Sequence, residues 1–222
     1  MSVNRNQRVL LVVNQLTQGV PQDQRRLYNF IESSGRGTVN SILEDDYSDL
    51  VKLYDQSATK DGLLSALQRI GSQTSVQAID LILMLHGSPE RLYFHNGVYQ
   101  AATLAAEIAA LSLRAKLRLV YSTACYGASH TDDFLRAGFT TAIGAVGVNA
   151  NAAAEFPVLL QLWSAGWQIK DALAQAESPL TRWPADQAAR LYAEANHLGW
   201  HDEVNSDKIL RGEGRITITS NG

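Results

Sequence analysis

The sequence predicts an α/β domain with a mostly parallel central sheet and helices on both faces of that sheet. Short apolar runs alternate with helix-forming segments along almost all of the 222 residues, which is the pattern of parallel strands joined by crossover helices. The clearest apolar runs are also continuous, without the polar alternation of a half-exposed strand. These strands are therefore expected to be covered on both faces.

Six apolar runs are predicted to form the strands. The run IDLILML is the clearest, because it is fully apolar after Asp80. The predicted strands are 8–13, 38–43, 79–85, 117–122, 139–146 and 215–219. Two aromatic-rich runs on either side of Asn96-Gly97 also predict a β-hairpin over 92–100, since Asn-Gly is favoured in two-residue hairpin turns.

Helix-forming segments lie between these runs, and glycines mark several of their ends. Gly35 and Gly71 are predicted to end the first two helices, and Gly166 to divide the long segment 151–177 into two. The predicted helices lie within 22–33, 60–70, 101–113, 128–137, 151–177 and 185–197. No repeat, low-complexity tract or linker interrupts the pattern, so one domain over 1–222 is expected.

The composition argues against several functional classes. Hydrophobic residues make up 45% of the chain and charged residues 18%, as in an ordinary globular protein. The net charge is −3 and no stretch is rich in Lys or Arg, so no nucleic-acid partner is expected. No apolar run approaches the roughly 18 residues of a membrane span, and no secretory signal is evident. A cytoplasmic protein without a membrane partner is expected.

Cys125 is the only cysteine. An intramolecular disulfide and a zinc site built on cysteines are therefore impossible, and no metal or other cofactor is expected. A lone cysteine is either a small buried apolar residue or a reactive thiol. Its surroundings in the sequence have to decide between these two interpretations.

Two predicted strands end in residues that can carry chemistry. The sequence HGS (86–88) follows the strand 79–85, and TACYG (123–127) follows the strand 117–122. The carboxyl ends of parallel strands meet at one edge of a sheet, where ligands bind. Cys125 follows His86 by 39 positions, which leaves room for a hairpin and a crossover helix. We therefore expect His86 and Cys125 to face the same crevice.

This pair of residues suits nucleophilic catalysis. An ordinary thiol is mostly protonated at neutral pH, and a neighbouring imidazole can take its proton and later deliver it to a leaving amine. Backbone N–H groups stabilise a developing oxyanion well, and glycine lets substrate approach closely. The amides of Gly87 and Cys125 are the natural donors for this oxyanion hole.

The motifs LHGSPE and TACYG resemble the His-Gly and Ala-Cys-x-Gly motifs of the caspase-like (clan CD) cysteine peptidases, which include caspases, metacaspases, legumains, gingipains and clostripain-type enzymes. The segment after the cysteine, FLRAGFTTAIGAV and onward, also resembles the related bacterial CHAT domains. The resemblance covers roughly residues 6–178. It implies a caspase-like three-layer α-β-α sandwich with about six strands in a mostly parallel central sheet.

The resemblance also implies a function. Cys125 would be the nucleophile and His86 the general acid/base, with the oxyanion hole at the amides of Gly87 and Cys125. The implied activity is that of a cysteine endopeptidase, which hydrolyses peptide bonds of a protein or peptide substrate through a thioester acyl-enzyme. Calcium activates some members of the clan, but the sequence gives no indication of it. The polar stretches 44–60 and 201–214 are candidate processing segments, and the sequence does not fix the oligomeric state.

Substrate preference is less clear from the motifs. In many clan members that cut after Lys or Arg, an acidic residue stands two positions before the cysteine, where this chain has Thr123. Asp132 and Asp133 are candidates to supply a negative charge from the next loop. Arg25 lies in a stretch comparable to one where caspases bind aspartate, although it also suits a solvated helix surface. A neutral or small side chain before the cleaved bond is equally open.

Other interpretations remain open at this level. Tyr126 and Trp183 are candidates to line a substrate groove, and His130 is a reserve candidate for the base. Gly144-x-x-Gly147 after a strand weakly suggests a dinucleotide loop, which would make this a nucleotide-binding domain. A caspase-like fold without catalytic turnover, used as a scaffold or interaction module, is the main alternative to an enzyme.

Overall fold

The computed structural model describes residues 2–22 and 24–221, with Thr181 described by its backbone alone. The strands in that part of the chain are β1 Arg8–Gln15, β2 Asp49–Tyr54, β3 Ala78–Ser88, β4 Arg91–Phe94, β5 Gly97–Gln100, β6 Leu117–Ser122, β7 Thr141–Ala145 and β8 Lys208–Gly212. Six of these described strands form a central sheet in the order β2-β1-β3-β6-β7-β8, in which only β8 is antiparallel to its neighbour. The hairpin β4–β5 extends from the end of β3.

Helices cover both faces of this sheet. They are α1 Arg25–Leu43, α2 Lys60–Gly71, α3 Ala101–Ala110, α4 Thr131–Ala137, α5 Ala152–Ser164, α6 Ile169–Ala176 and α7 Pro179–Ala195. Val9, Leu11 and Val13 of β1 pack in the core under α2, α3 and α4, whereas Leu10 and Val12 pack with α1, α5 and α6. Burial on both faces explains why the central strands are continuously apolar. The predicted three-layer α/β fold is confirmed.

The second strand lies at a different place from the prediction. Residues 38–43, predicted as a strand, form the last turns of α1, and β2 is Asp49–Tyr54. Gly35 does not end α1 but lies inside it, where a side chain would overlap the end of the Met84 side chain. Glycine at this position therefore allows α1 to pack closely on β3. Residue 23, which the predicted helix 22–33 included, lies outside the described residues.

The closing strand also differs. Residues 215–219 are not a strand, and the last strand of the sheet is β8, at 208–212. Ile216 and Ile218 are buried, which accounts for their strand-like alternation. The backbone there accepts hydrogen bonds from other groups instead: Arg8 and Arg118 donate to the Ile218 carbonyl, and the Ile169 amide donates to the Ile216 carbonyl.

Membrane insertion finds no support in the helices. None of those formed by the described residues combines the length and the apolar character needed to cross a bilayer.

Candidate active site

The register between β3 and β6 brings the two candidate catalytic residues side by side. The last pair in this parallel ladder is Leu83 with Ser122, and the amide of Thr123 donates to the Leu83 carbonyl at 2.9 Å. His86 follows Leu83 by three residues, and Cys125 follows Ser122 by three residues. Both therefore emerge from the same edge of the sheet at the same height.

Backbone contact between the two strand ends is very close at Gly87. A Cβ atom on Gly87 would lie 2.6 Å from the carbonyl oxygen of Cys125 and 2.9 Å from the Cβ of Ala124. Real Cβ atoms do not approach other atoms so closely. Glycine at 87 and a small residue at 124 are thus the sequence features that let the two motifs touch.

A cavity of about 710 Å³ opens beside this contact, and His86 and Cys125 both line it. Its walls come from the end of β1, from α1 and α7, and from the segments 148–152 and 200–203. Cys125 is partly exposed. The thiol and the imidazole therefore share a space that a ligand can enter.

A hydrogen bond fixes the orientation of the imidazole. His86 Nε2 lies 2.7 Å from the carbonyl oxygen of Leu16, just past β1. A carbonyl only accepts, so Nε2 carries the proton of the neutral ring and Nδ1 is left as the acceptor. The ring of Tyr28 packs edge-on against that of His86, with 4.9 Å between centroids. Burial lowers the pKa of His86, although the Leu16 carbonyl and the charge of Glu32 oppose this effect.

Glu32 binds the backbone amide of Leu16, whose carbonyl contacts His86. This carboxylate is buried on α1 and accepts hydrogen bonds from the amide of Leu16 at 2.7 Å and from Arg36 at 2.6 Å. Leu16 thus has its amide tied to Glu32 and its carbonyl tied to His86. Sequence reasoning missed Glu32, because nothing in its local spacing indicates that α1 folds over the end of β1.

The surroundings of Cys125 favour the protonated thiol. Burial raises its pKa, while the backbone amides of Asn149 and of Cys125 itself and the positive charge of Lys208 lower it to a smaller extent. Because the His86 pKa is lowered and the Cys125 pKa is raised, the resting pair is thiol and neutral imidazole. The arrangement suits an imidazole that removes the proton as the sulfur attacks.

Two backbone N–H groups are available near the sulfur. Among the described residues, no backbone carbonyl accepts a hydrogen bond from the Cys125 amide, which interacts with the sulfur of its own side chain. The turn between β3 and β4 has two residues and is closed by the pair Ser88 and Arg91. In such a ladder the next pair, Gly87 with Leu92, is not hydrogen-bonded, so the N–H of Gly87 points away from β4. The N–H groups of Gly87 and Cys125, the two predicted oxyanion donors, are thus not used in hydrogen bonds between the described strands.

A tight turn presents Cys125 at the lip of the sheet. Tyr126 has left-handed backbone angles (φ 57°), and its amide donates to the Gly147 carbonyl at 2.9 Å. A side chain on Gly144 would overlap the backbone of Gly127. Gly144 and Gly147 thus serve close backbone packing around the cysteine turn. The dinucleotide-loop interpretation of these glycines has no geometric support.

A buried polar cluster lies behind the cysteine loop. The side chain of Lys208, on β8, is fully buried and lies 3.0 Å from Glu155 Oε2 and 3.3 Å from Asn149 Oδ1. Asn149 Nδ2 donates to the carbonyl of Thr123 at 2.8 Å, and the Tyr121 hydroxyl donates to Glu155 at 2.5 Å. Through Asn149, the cluster ties β8 and α5 to the residues that precede Cys125. Sequence reasoning missed it.

The structure brings some of the predicted substrate-binding residues to the cavity and leaves others outside it. Thr123 and Tyr126 line it. Arg25 and Asp132 are exposed and do not line it. Trp183 is 65% exposed and lies outside the lining. Besides Tyr126, aromatic side chains reach the cavity from positions that were not predicted, namely Tyr28, Tyr192 and Trp200.

The reserve base is engaged elsewhere. His130 is fully buried, does not line the cavity, and has Nε2 3.1 Å from the carbonyl oxygen of Ser88. It therefore links the turn after Cys125 to the end of β3. In the part of the chain that the structure describes, no three His, Cys, Asp or Glu residues come together as ligands for a metal ion.

Comparison of the sequence with known proteins finds no matching family model and no matching curated protein. Comparison of structures does find matches. Caspase-1 from Spodoptera frugiperda superposes with a TM-score of 0.61 at 8% identity, over 95% of this chain and 88% of that one. Gingipain R, an Arg-specific cysteine proteinase, gives 0.57 at 11% identity, over 96% of this chain and 48% of that one.

A third match is a secreted cysteine protease from Bacteroides thetaiotaomicron, solved with an irreversible peptide inhibitor. Its TM-score is 0.53 at 12% identity, over 78% of this chain and 58% of that one. All three are clan CD cysteine peptidases. The chain therefore has the caspase-like fold, as the resemblance of its motifs implied. Identities this low establish the fold alone.

Proposed function

We propose that this chain is a cysteine endopeptidase, in which Cys125 is the nucleophile and His86 the general acid/base. The observation that carries the proposal is the position of the two side chains. They lie at equal heights on neighbouring strand ends and line one cavity, next to a backbone contact that only glycine at 87 permits. The similarity in fold to cysteine peptidases supports it.

In the proposed reaction, the Cys125 sulfur attacks the carbonyl carbon of a peptide bond while its proton passes to His86 Nδ1. The Leu16 carbonyl accepts from the Nε2 side and stabilises the imidazolium. The amides of Gly87 and Cys125 donate to the oxyanion of the tetrahedral intermediate. Collapse of this intermediate breaks the C–N bond, His86 gives its proton to the leaving amine, and a thioester remains.

Water completes the cycle. His86, neutral again, removes a proton from a water molecule that attacks the thioester carbonyl, and the released thiolate takes that proton back. The products are a carboxylic acid and an amine, and no external oxidant or cofactor takes part. The carbonyl of Leu16 keeps Nδ1 toward the reacting atoms throughout, because it holds the proton on Nε2.

A library of internally quenched peptides tests the proposal, with wild type and Cys125→Ala compared, each with and without calcium and after limited proteolysis. Wild type should cleave, and Cys125→Ala should be slower by about 10³-fold or more, as for loss of a nucleophile in other acyl-transfer enzymes. Equal cleavage by both proteins would mean a contaminant. If the wild type cleaved no peptide in any condition, the proposed endopeptidase activity would be refuted.

An inactive scaffold is the second candidate. The observation in its favour is the resting state of the pair, since burial raises the pKa of the Cys125 thiol and lowers that of the His86 imidazole. A scaffold keeps its partner affinity when the thiol is removed. If Cys125→Ala retained the full biological effect of the wild type, the scaffold would be the better explanation.

A further inference from the structure

We infer that the residue whose carbonyl Cys125 attacks carries an uncharged apolar side chain, of about the size of leucine, methionine or phenylalanine. The inference rests on the proposed function, and it names the class of substrate for that site. It is drawn from the chemistry of the cavity walls and from a hollow beneath Thr123.

The walls of the cavity offer almost no charge. α1 contributes Leu27, Tyr28 and Ile31, and α7 contributes three alanines and Tyr192. Among the described residues that line the cavity there is no Lys, Arg or Asp. Glu203 is the only Glu among those described lining residues, and it is exposed to solvent.

A pocket with this lining selects against charged side chains. A Lys, Arg, Asp or Glu side chain that entered it would lose its hydration and gain no partner of opposite charge. An apolar side chain gains in proportion to the area that it removes from water. The lowered pKa of His86 has the same consequence, because the imidazole is neutral at pH 7 and offers no charge to an acidic side chain.

A small void beneath Thr123 indicates where the substrate side chain binds. This void, of about 30 Å³, lies between α1 and α5, and its lining includes Met84, Phe156 and Pro157. Leu16, Ile31, Thr123 and Ala152 line both this void and the main cavity. We call these four residues the Thr123 pocket. Only small side chains at 123 and 152 stand between the void and the main cavity on this side, and the rest of its lining is mostly apolar, with Ser34 and Thr38 as its other hydroxyl side chains.

The Thr123 pocket lies next to the reacting atoms. The carbonyl of Leu16 holds His86 Nε2, and Thr123 precedes Cys125 by two residues. The carbonyl of Thr123 is occupied by Asn149 Nδ2, and its hydroxyl faces the Leu83 carbonyl at 3.4 Å. The backbone and hydroxyl of Thr123 are thus engaged by the protein, so the side chain presents mainly its methyl group.

The main experiment measures kcat/KM for quenched peptides that differ only in the residue before the cleaved bond: Leu, Phe, Ala, Asn, Lys or Asp. We expect Leu or Phe to exceed Lys and Asp by about 100-fold, of the order that a pocket achieves when the wrong side chain would be buried unpaired. Equal or faster cleavage after Lys or Asp would overturn the inference.

Two variants test the location. Ala152→Leu should fill the mouth of the Thr123 pocket, so that cleavage after Phe falls about tenfold or more relative to cleavage after Ala. Ile31→Asp should raise the rate after Lys relative to Leu, because a carboxylate then faces the substrate side chain. Arg25→Ala, which is exposed and outside the cavity, is the control and should leave the preference unchanged. Unchanged preferences in both pocket variants would overturn the location.

A second measurement separates this inference from the proposed function. Peptidyl chloromethyl ketones alkylate a thiol without turnover: sulfur displaces chloride, a thioether forms, and the thiol proton leaves with His86 or buffer. If no peptide is cleaved but the Leu or Phe reagent labels Cys125 faster than the Lys or Asp reagent, the endopeptidase fails and the apolar pocket stands. Equal labelling rates, in an active or inactive protein, would overturn the pocket.

Discussion

The carboxylate of Glu32 accepts a hydrogen bond from the backbone amide of Leu16, with 2.7 Å between Oε2 and N. Leu16 also orients His86 through its carbonyl, so a charged residue on the first helix determines where the imidazole points. Burial lowers the His86 pKa most strongly, and the negative charge of Glu32 raises it against that effect.

Glu32→Gln should therefore lower the His86 pKa further, because it removes the negative charge while keeping the size of the side chain. The imidazole must be unprotonated to act as a base, so the acidic limb of kcat/KM against pH should move to lower pH. NMR titration of the His86 ring in the Cys125→Ala background measures the same change without turnover.

Asp55→Asn is the matched control for this charge. Asp55 is exposed and binds the same Arg36 as Glu32 does, but it does not touch Leu16. The His86 titration should be unchanged in Asp55→Asn. If both variants changed the pKa of His86 equally, the change would be caused by Arg36 and the surface charge, and the role assigned to Glu32 would be wrong.

Gly87→Ala should reduce activity strongly. The added Cβ would lie 2.6 Å from the Cys125 carbonyl, so one of the two strand ends has to shift. A displacement of about 1 Å at a reacting group costs roughly 100-fold in rate, and we expect at least that loss in kcat/KM, together with a lower Tm. Gly37→Ala is the control, because Gly37 is an exposed residue within α1 with no atom within 4 Å of a new Cβ.

The control should change stability in the opposite direction. Alanine is favoured over glycine inside a helix by about 0.8–1 kcal/mol, so Gly37→Ala should leave activity unchanged and raise the free energy of unfolding slightly. Equal activity of Gly87→Ala and wild type would show that the two strand ends are not in contact as described.

Lys208→Met should destabilise the protein by about 3–5 kcal/mol, because it leaves the carboxylate of Glu155 buried and unpaired. The double variant Lys208→Met/Glu155→Gln should recover part of that loss, since it removes the unpaired charge of Glu155 and leaves only Glu177, 3.6 Å from Lys208 in the wild type, without its lysine. Urea unfolding measures both free energies. A double variant less stable than Lys208→Met alone would contradict the pairing.

Alkylation by iodoacetamide should report the resting state of the thiol. Burial raises the Cys125 pKa, and only the thiolate reacts. The rate for the folded, unliganded chain should therefore be slow at pH 7 and should continue to rise above the pH at which an ordinary thiol levels off. Cys125 is the only cysteine, so the same chain unfolded in urea is an internal reference. A folded rate already at its plateau near pH 6 would mean a preformed thiolate, and the proposed proton transfer during attack would be wrong.

The sequence allowed the central strands to be predicted because they are buried on both faces. β3 is a continuous apolar run after Asp80 and β6 is apolar over 119–121, and a motif with a potentially reactive side chain follows each of these runs directly. β2 was missed because it is an edge strand with Asp49 and Lys52 exposed. Gly35 was interpreted as a helix end, whereas it permits contact with Met84 across the core, which no local pattern indicates.

The same distinction applies to the candidate site. His86 and Cys125 stand in short motifs directly after strong strands, so their proximity followed from topology. Glu32 and Lys208 work through partners that are distant in sequence, namely Leu16 and Glu155. Only the folded chain brings these pairs together. The apolar residues that α7 contributes to the cavity could likewise not be predicted from the sequence, because the position of α7 over the cavity depends on tertiary contacts.

The ion pair of Lys208 has a consequence for the order of events during synthesis. The loop that carries Asn149 is tied to β8 through Lys208 and to the segment just before β8 through the Ser206 hydroxyl, which accepts from the amides of Ala150 and Asn151. Domains generally fold as units. A nascent chain that has made both motifs but not yet residue 208 lacks the partners that hold the cysteine loop. The final geometry of the Cys125 turn therefore requires that β8 has been synthesised and has joined the sheet.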